Sequence, residues 1–483
     1  MKKFFVVLFL FFSAVSHAYD FEVDGLFYDI LSTEERTVEV SGQSGSIFIP
    51  VMDKVIPNKV AFNGITYFVI GIKKNACLHC QSVVVSDGIK YIQEQAFYRC
   101  LESLYIPKSI DTIGESVIEL DGGAYTNDTL RIYIEDLSSW LKIDFGSERF
   151  TFTVGGAAPW YWDVEASFFR FRDNDLFIVF YLNSSLIREV EIPDTIKEIK
   201  AYTFSSFHEL SSIVIPNSVT SIGRGAFDDC LSLSSISFPS TLKRIGKTAF
   251  MGCINLGAIT IPKDIELIDQ GAFLECNNLA SVEIESSTPP KMEMGFDWHN
   301  NVSFGAFDAE TVNNASLYVP KGTKSLYQNV EGWKAFKHIC DNESCIRFQD
   351  LQAKKFSVGL ADTDNDEEVI PEELAAVRNI TTALRNNSAI RTFNEFQYFK
   401  AVEEIPANAF YGCNNLRSII LPEHIKTIGN QAFRGCNSLA SIVIPEGVTH
   451  IGASAFDGCS SLTSVVIPES AESIDVSAFA NCI

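Results

Sequence analysis

Beyond its first eighteen residues the sequence has no apolar run long enough to cross a bilayer, which excludes a later membrane-spanning helix. Basic residues are a minority, 38 Lys and Arg against 61 Asp and Glu, for a formal net charge of −23. Such an acid excess repels nucleic-acid phosphate and anionic lipid, so nucleic-acid binding and membrane insertion are excluded as functions. Histidine is scarce, 7 in 483 residues and scattered, and GxSxG, HExxH and phosphate-binding glycine loops are missing. No catalytic residue is therefore assigned and the expected class is not an enzyme; the alternative is an activity housed in the irregular stretch 121–185.

What is present begins with an export address. Two lysines, an apolar run from Phe4 to Phe12 and the small-residue site Ser16-His17-Ala18 read as a signal peptide, residues 1–18, cleaved after Ala18. No Cys follows the cut, so lipid attachment is not indicated, and the protein is expected to be secreted or at the cell surface. Aligned segments then give the template LxxIxIPxxVxxIGxxAFxxC, repeated every 23 residues, as in Phe227 and Cys230, Phe250 and Cys253, Phe273 and Cys276. A period of 23 lies in the range of leucine-rich repeats. In "LSSIVIP" Leu210, Ile213 and Ile215 point inward while Ser211, Ser212 and Val214 point outward. Stacked repeats would build a parallel sheet on one side and a Phe spine on the other, with Gly223 and Gly246 relaxing the turn before Ala-Phe.

The expected architecture is a mainly β leucine-rich repeat solenoid in two blocks with a small helical insert. An N-terminal hairpin cap covers 19–57; block one spans 58–345, with an enlarged coil at 121–185 and a closing strand and short helix in 285–345; an acidic helical linker spans 346–400; block two spans 401–483. Nine cysteines from Cys80 to Cys482 share one template position beside apolar neighbours, and buried thiols are preferred to a ladder of disulfides, because stacked side chains point the same way. Cys77 takes the place of a template Phe. Cys340 and Cys345, in "CDNESC", read as a local disulfide rather than zinc ligands.

The repeats "SIGRGAFDDCLSLSSISFP" and "HIGASAFDGCSSLTSVVIP", together with "YDFEVDGLFYDIL", "IEDLSSWLKIDF" and the "LYVP" closure, resemble the BspA-like leucine-rich repeat proteins, secreted or surface proteins of anaerobic bacteria of the mouth and gut. The resemblance implies adhesion, through host matrix or plasma proteins or other bacteria, and names no contact residues. In one respect the chain departs from that pattern: it stops at Cys482-Ile483, where the template places another strand.

Two candidate sites follow. Outward strand positions in block two, Ser418, Ile420, Ser441, Val443, Ser464 and Val466, form a nearly uncharged face suited to a protein partner, with Ile420, Val443 and Val466 as an apolar stripe; block one carries the equivalent positions from Ser211 to Ser281. Small and β-branched residues also simply suit strands. A glycan partner is the runner-up, favoured by exposed aromatics on a groove. The second candidate is "DTDNDEEVIPEE", which places Asp362, Asp364, Asp366, Glu368 and Glu373 at positions 1, 3, 5, 7 and 12 of a calcium loop, making calcium the one cofactor to consider. Glu367 stands where the loop's sharp turn takes Gly, and a solvated acidic turn is the other reading. The residues after it carry Leu374, Val377 and Leu384 at helical spacing, and Thr392-x-x-Glu395 reads as a capping box before a helix bearing Phe393, Phe396 and Phe399.

Overall fold

The computed structural model describes residues 19–41, 52–78, 80–98, 102–114, 117–121, 129–145, 153–155, 177–297, 302–341, 345–363, 368–380 and 384–482. The signal-like residues 1–18 and much of the irregular stretch 121–185 lie outside them. The described chain is mainly β with few helices. It divides into two compact units, residues 1–186 and 187–483. That boundary falls inside what the repeats alone read as block one.

In the first unit Phe21–Val23, Leu26–Ser32 and Thr37–Ser41 form an antiparallel meander, whose last strand pairs in parallel with Ile65–Ile72. A second sheet runs Met52–Ile56, Cys80–Val85, Ser103–Ile106, Thr129–Ile134 and Phe177–Leu182, each parallel to the next. Successive partners are unequally spaced in sequence: Ser82 opposes Ser103, Ser103 opposes Arg131, and Arg131 opposes Val179. The insertions lengthen the excursion between strands and leave the strand register intact. Cys77 lies opposite Phe97 in parallel backbone register.

In the second unit the period is nearly constant. Ser221, Arg244, Leu267 and Lys291 stand opposite one another in one parallel ladder, and Thr427, His450 and Ser473 in another. Behind them Phe204, Phe227, Phe250, Phe273 and Phe307 stack with centroids 5.0 to 5.3 Å apart and planes within 12°. Phe410, Phe433, Phe456 and Phe479 repeat the arrangement at 5.0 to 5.2 Å. Each ring is tied by its backbone: Phe250 N donates to Ala272 O at 2.7 Å, and Phe227 N to Ala249 O at 2.7 Å. Tyr327, Trp333 and Phe336 close the first spine, with Phe336 packed on Phe307 at 5.2 Å.

The cysteines have a clearer task than filling space. Cys253 Sγ donates to Phe227 O at 3.2 Å, Cys276 to Phe250 O and Cys436 to Phe410 O at the same distance. Each Phe carbonyl already accepts the N–H of the Cys in its own repeat, so the thiol of the next repeat satisfies the second lone pair in a dry core. Cys230, Cys253, Cys413, Cys436 and Cys459 are free thiols, as the ladder argument requires. Burial holds the Cys230 and Cys253 thiols far above their usual range, which keeps them protonated and unreactive. Cys100 lies outside the described residues. Cys340 and Cys345 are bonded to each other.

The glycines before Ala-Phe serve packing rather than the turn. A Cβ on Gly246 would sit 2.7 Å from the carbonyl carbon of Gly223, and one on Gly223 2.5 Å from Ala201 N. Neighbouring repeats touch there backbone to backbone, and only hydrogen fits.

The segment 346–400 departs from expectation. Its longest helix, Leu351–Ala361, is one the apolar spacing did not indicate; Asp350 caps it, accepting from Gln352 N at 2.8 Å and Ala353 N at 3.2 Å. The helix expected to reach Leu384 ends after Pro371–Ala376, with Val377 already extended. Thr392 and Glu395 form no capping box: Thr392–Phe393 is a strand paired with Ser418–Ile419, and Asn394–Tyr398 is a single 3-10 turn. Tertiary burial overrides the local signal, since Phe393, Phe396 and Phe399 are all fully buried in a core that runs on into Phe410 and Cys413.

Candidate functional site

The outward strand face has two lines of side chains. In unit two one line runs through Ala258, Ser281 and Ser316, the other through Thr260, Glu283 and Tyr318, both set by parallel register. The protein's own chain crosses this part of the face. Ser281 Oγ donates to Phe348 O at 2.7 Å and is buried; Tyr318 OH donates to Ile346 O. Arg347 Nη2 lies 3.0 Å from Glu283 Oε1 and its guanidinium 5.1 Å over the Tyr318 ring. The backbone of Gln349 passes so close to Gly257 that a Cβ there would fall 1.8 Å from its oxygen. Hydroxyls take the crossing strand's carbonyls, a small residue admits its backbone and a carboxylate fixes its arginine.

Helix Leu351–Ala361 holds this crossing segment down. Lys354 Nζ, its side chain 5% exposed, donates to Asn314 O at 3.0 Å, Ser316 Oγ at 2.6 Å and Glu368 Oε1 at 3.2 Å, while Ser316 Oγ donates to the same Glu368 oxygen. His338 Nδ1 lies 3.7 Å from that carboxylate. Nearby, Glu395 Oε1 accepts from Gln349 N at 3.0 Å, whereas Oε2 is buried without a hydrogen-bond partner. Burial raises its pKa to about 7.

This geometry bears on the acidic loop. Asp364 and Asp366 lie outside the described residues, and Asp362 ends helix Leu351–Ala361 as its C-cap. Glu368 faces Lys354, and Glu373 accepts from Thr363 N and Oγ1 and from Ile370 N. The two glutamates are thus engaged by the protein's own donors, and among the described residues no group of three ligand side chains is gathered for a metal.

In block two the same lines are open. Val443 and Val466 oppose one another in register and are 80% and 76% exposed; Ile420 is 45% exposed. Ser441 and Ser464 are exposed, and Ser418 is half-buried because its Oγ donates to Asn394 Oδ1 at 2.7 Å. Five of the six residues are thus exposed and Ser418 is half-buried. Charge is less scarce on block-one strands than expected: Glu189 and Glu191 oppose Ser212 and Val214 and are exposed. A signal was there to be read in "EVEIP", where alternation puts both glutamates outward.

The sequence profile of the BspA type leucine rich repeat region matches six copies, over residues 71–120, 179–301 and 387–483, more than half of the chain. The chain belongs to the BspA-type leucine-rich repeat family. Solved structures similar to this BspA-type chain include a leucine-rich repeat protein from Bacteroides ovatus, 21% identical over 96% of this chain and 93% of that one, with a TM-score of 0.36. A leucine-rich cell surface protein from Faecalibacterium prausnitzii is 17% identical over 92% and 93%, with a TM-score of 0.32. The pneumococcal vaccine antigen PcpA is 14% identical over 68% of this chain and 99% of that one, with a TM-score of 0.26. No curated protein matches the chain. Among the described residues no helix is long and apolar enough to cross a membrane.

Proposed function

We propose that this BspA-type protein is a secreted or cell-surface binding protein, built of 23-residue solenoid coils, that takes an extended segment of an extracellular protein across the block-two strand face. The observation that carries the reading is the crossing of strands Ala258–Ile261, Ser281–Ile284 and Ser316–Tyr318 by residues 346–349 of the same chain. Template position by template position, Ser441 and Ser464 correspond to Ser281, Ala440 to Ala280, and Val443 and Val466 to Glu283. A face that accepts a polypeptide in one part of the unit is exposed to solvent, and more apolar, in another. Burying two valines and an isoleucine contributes about 1.5 to 3 kcal/mol each, enough to anchor a contact whose remainder is backbone hydrogen bonding to serine. A host matrix or plasma protein is the partner class that suits an exported chain of this kind.

The test is surface-immobilised capture of a panel of extracellular matrix and plasma proteins by residues 19–483. Ser441→Glu with Val443→Glu is expected to abolish capture while leaving the melting temperature unchanged. Capture that survives this pair and is lost on changes within 121–185 would overturn the assignment of the face.

A further inference from the structure

In the first unit the outward line equivalent to Val443 and Val466 carries three tyrosines. Parallel register places Val55 opposite Val84, Val84 opposite Tyr105, Tyr105 opposite Tyr133 and Tyr133 opposite Tyr181. These five residues come from segments separated by insertions of very different length, so their alignment belongs to the folded sheet alone. Val55 and Val84 are 62% and 41% exposed, the three tyrosines half-buried. Tyr133 and Tyr181 stack at 4.9 Å with planes 20° apart. Four strand intervals of roughly 4.8 Å make a ridge about 19 Å long and one side chain wide. Beside it runs a hydrogen-bonding line, Ser82, Ser103 and Arg131, with the two serine hydroxyls 2.6 Å apart.

We infer that this ridge binds a neutral, linear polysaccharide lying across the strands, a second ligand class on a different unit from the polypeptide face. A sugar chain has apolar C–H faces and hydroxyl edges side by side along its length, which is the chemistry of the two lines. Tyrosine offers a ring to the first and a phenol to the second at small entropic cost. The valine line of block two has no ring to lay against a sugar face, and this difference separates the two surfaces. Arg131 is the one charged residue at these register positions, and the net charge of −23 disfavours acidic glycans.

The experiment is affinity electrophoresis of residues 19–483 through gels containing soluble β-glucan, mannan, xylan or starch, followed by calorimetry on the one that retards. Wild type is expected to be retarded by at least one. Tyr133→Ala and Tyr181→Ala are each expected to weaken binding about tenfold; Tyr133→Phe keeps most of it, and Ser441→Glu with Val443→Glu leaves it unchanged, separating this site from the polypeptide face. Near-UV circular dichroism checks the fold, and Tyr105→Gln, a change at another position on the line, stands in for any alanine variant that fails to fold. The inference is overturned if no polysaccharide retards the chain, if the tyrosine variants bind as wild type, or if these substitutions abolish capture of an extracellular protein while no glycan binds.

Discussion

The outward strand line carries two valines and three tyrosines in the first unit, is crossed by the chain itself at Glu283 and Tyr318, and is exposed valine in block two. The inward positions hardly differ among the three: Leu104 and Ile106, Ile259 and Ile261, Ile442 and Ile444 are all buried aliphatics. One scaffold therefore carries three surfaces. The reason is geometric, since alternate residues of a strand answer to different environments, and the outer set is not constrained by the core. In the covered region the crossing segment has donors and acceptors matched to the face.

Stacked Phe rings lie behind both the covered and the open faces of the second unit, and breaking a stack has the largest effect. Phe250→Ala is expected to cost about 3 to 5 kcal/mol in denaturant unfolding, because the ring is fully buried between Phe227 and Phe273 and its loss leaves a cavity. A loss below about 1 kcal/mol, the range of surface changes, would mean the stack does not hold the repeats together.

The cover can be loosened from beneath by pH. Glu395 has its pKa raised by burial from 4.5 to about 7, so the folded state binds its proton more tightly than the unfolded one. Stability contributed by the protonated carboxyl is complete below pH 4.5 and is lost as pH rises through 7, by on the order of 3 kcal/mol. His208 acts in the opposite sense, its pKa lowered by burial to about 4, so it weakens the fold as pH falls from 6.5. The difference between Glu395→Gln and wild type isolates the carboxyl: the variant is expected to match wild type near pH 4 and to melt progressively higher from pH 5 to 8. Parallel melting curves across that range would show that Glu395 is not buried under the crossing segment.

The smallest expected effect sharpens the contrast between covered and open lines. Val443→Glu should change unfolding free energy by no more than about 0.5 kcal/mol, as its side chain meets solvent. Ser281→Glu places the same charge beneath residues 346–349 and should cost more than Val443→Glu, in the same denaturant measurement. Equal costs would mean that the crossing segment does not press on the face.

The repeat was legible because residues 23 apart, such as Ser221 and Arg244 or Thr427 and His450, stand opposite one another in parallel register and meet similar surroundings. Phe250, Cys253 and the outward position of Val443 could be placed that way. The sequence could not say that Cys253 donates to Phe227 O, or that Gly246 is needed because Gly223 lies against it, since both facts concern the distance between coils. The segment 346–400 departs from its local signal for a related reason: Thr392 and Glu395 have the spacing of a cap, but Phe393 and Phe396 gain more from the core than a local turn could give. Above all, Tyr105, Tyr133 and Tyr181 stand 28 and 48 residues apart, spacings with no period to betray them. Periodicity by itself determined which repeat residues are buried, Phe250 and Cys253 among them. Which outer residues become neighbours was decided only by the tertiary structure, because strand register is conserved across insertions whose length the chain leaves free.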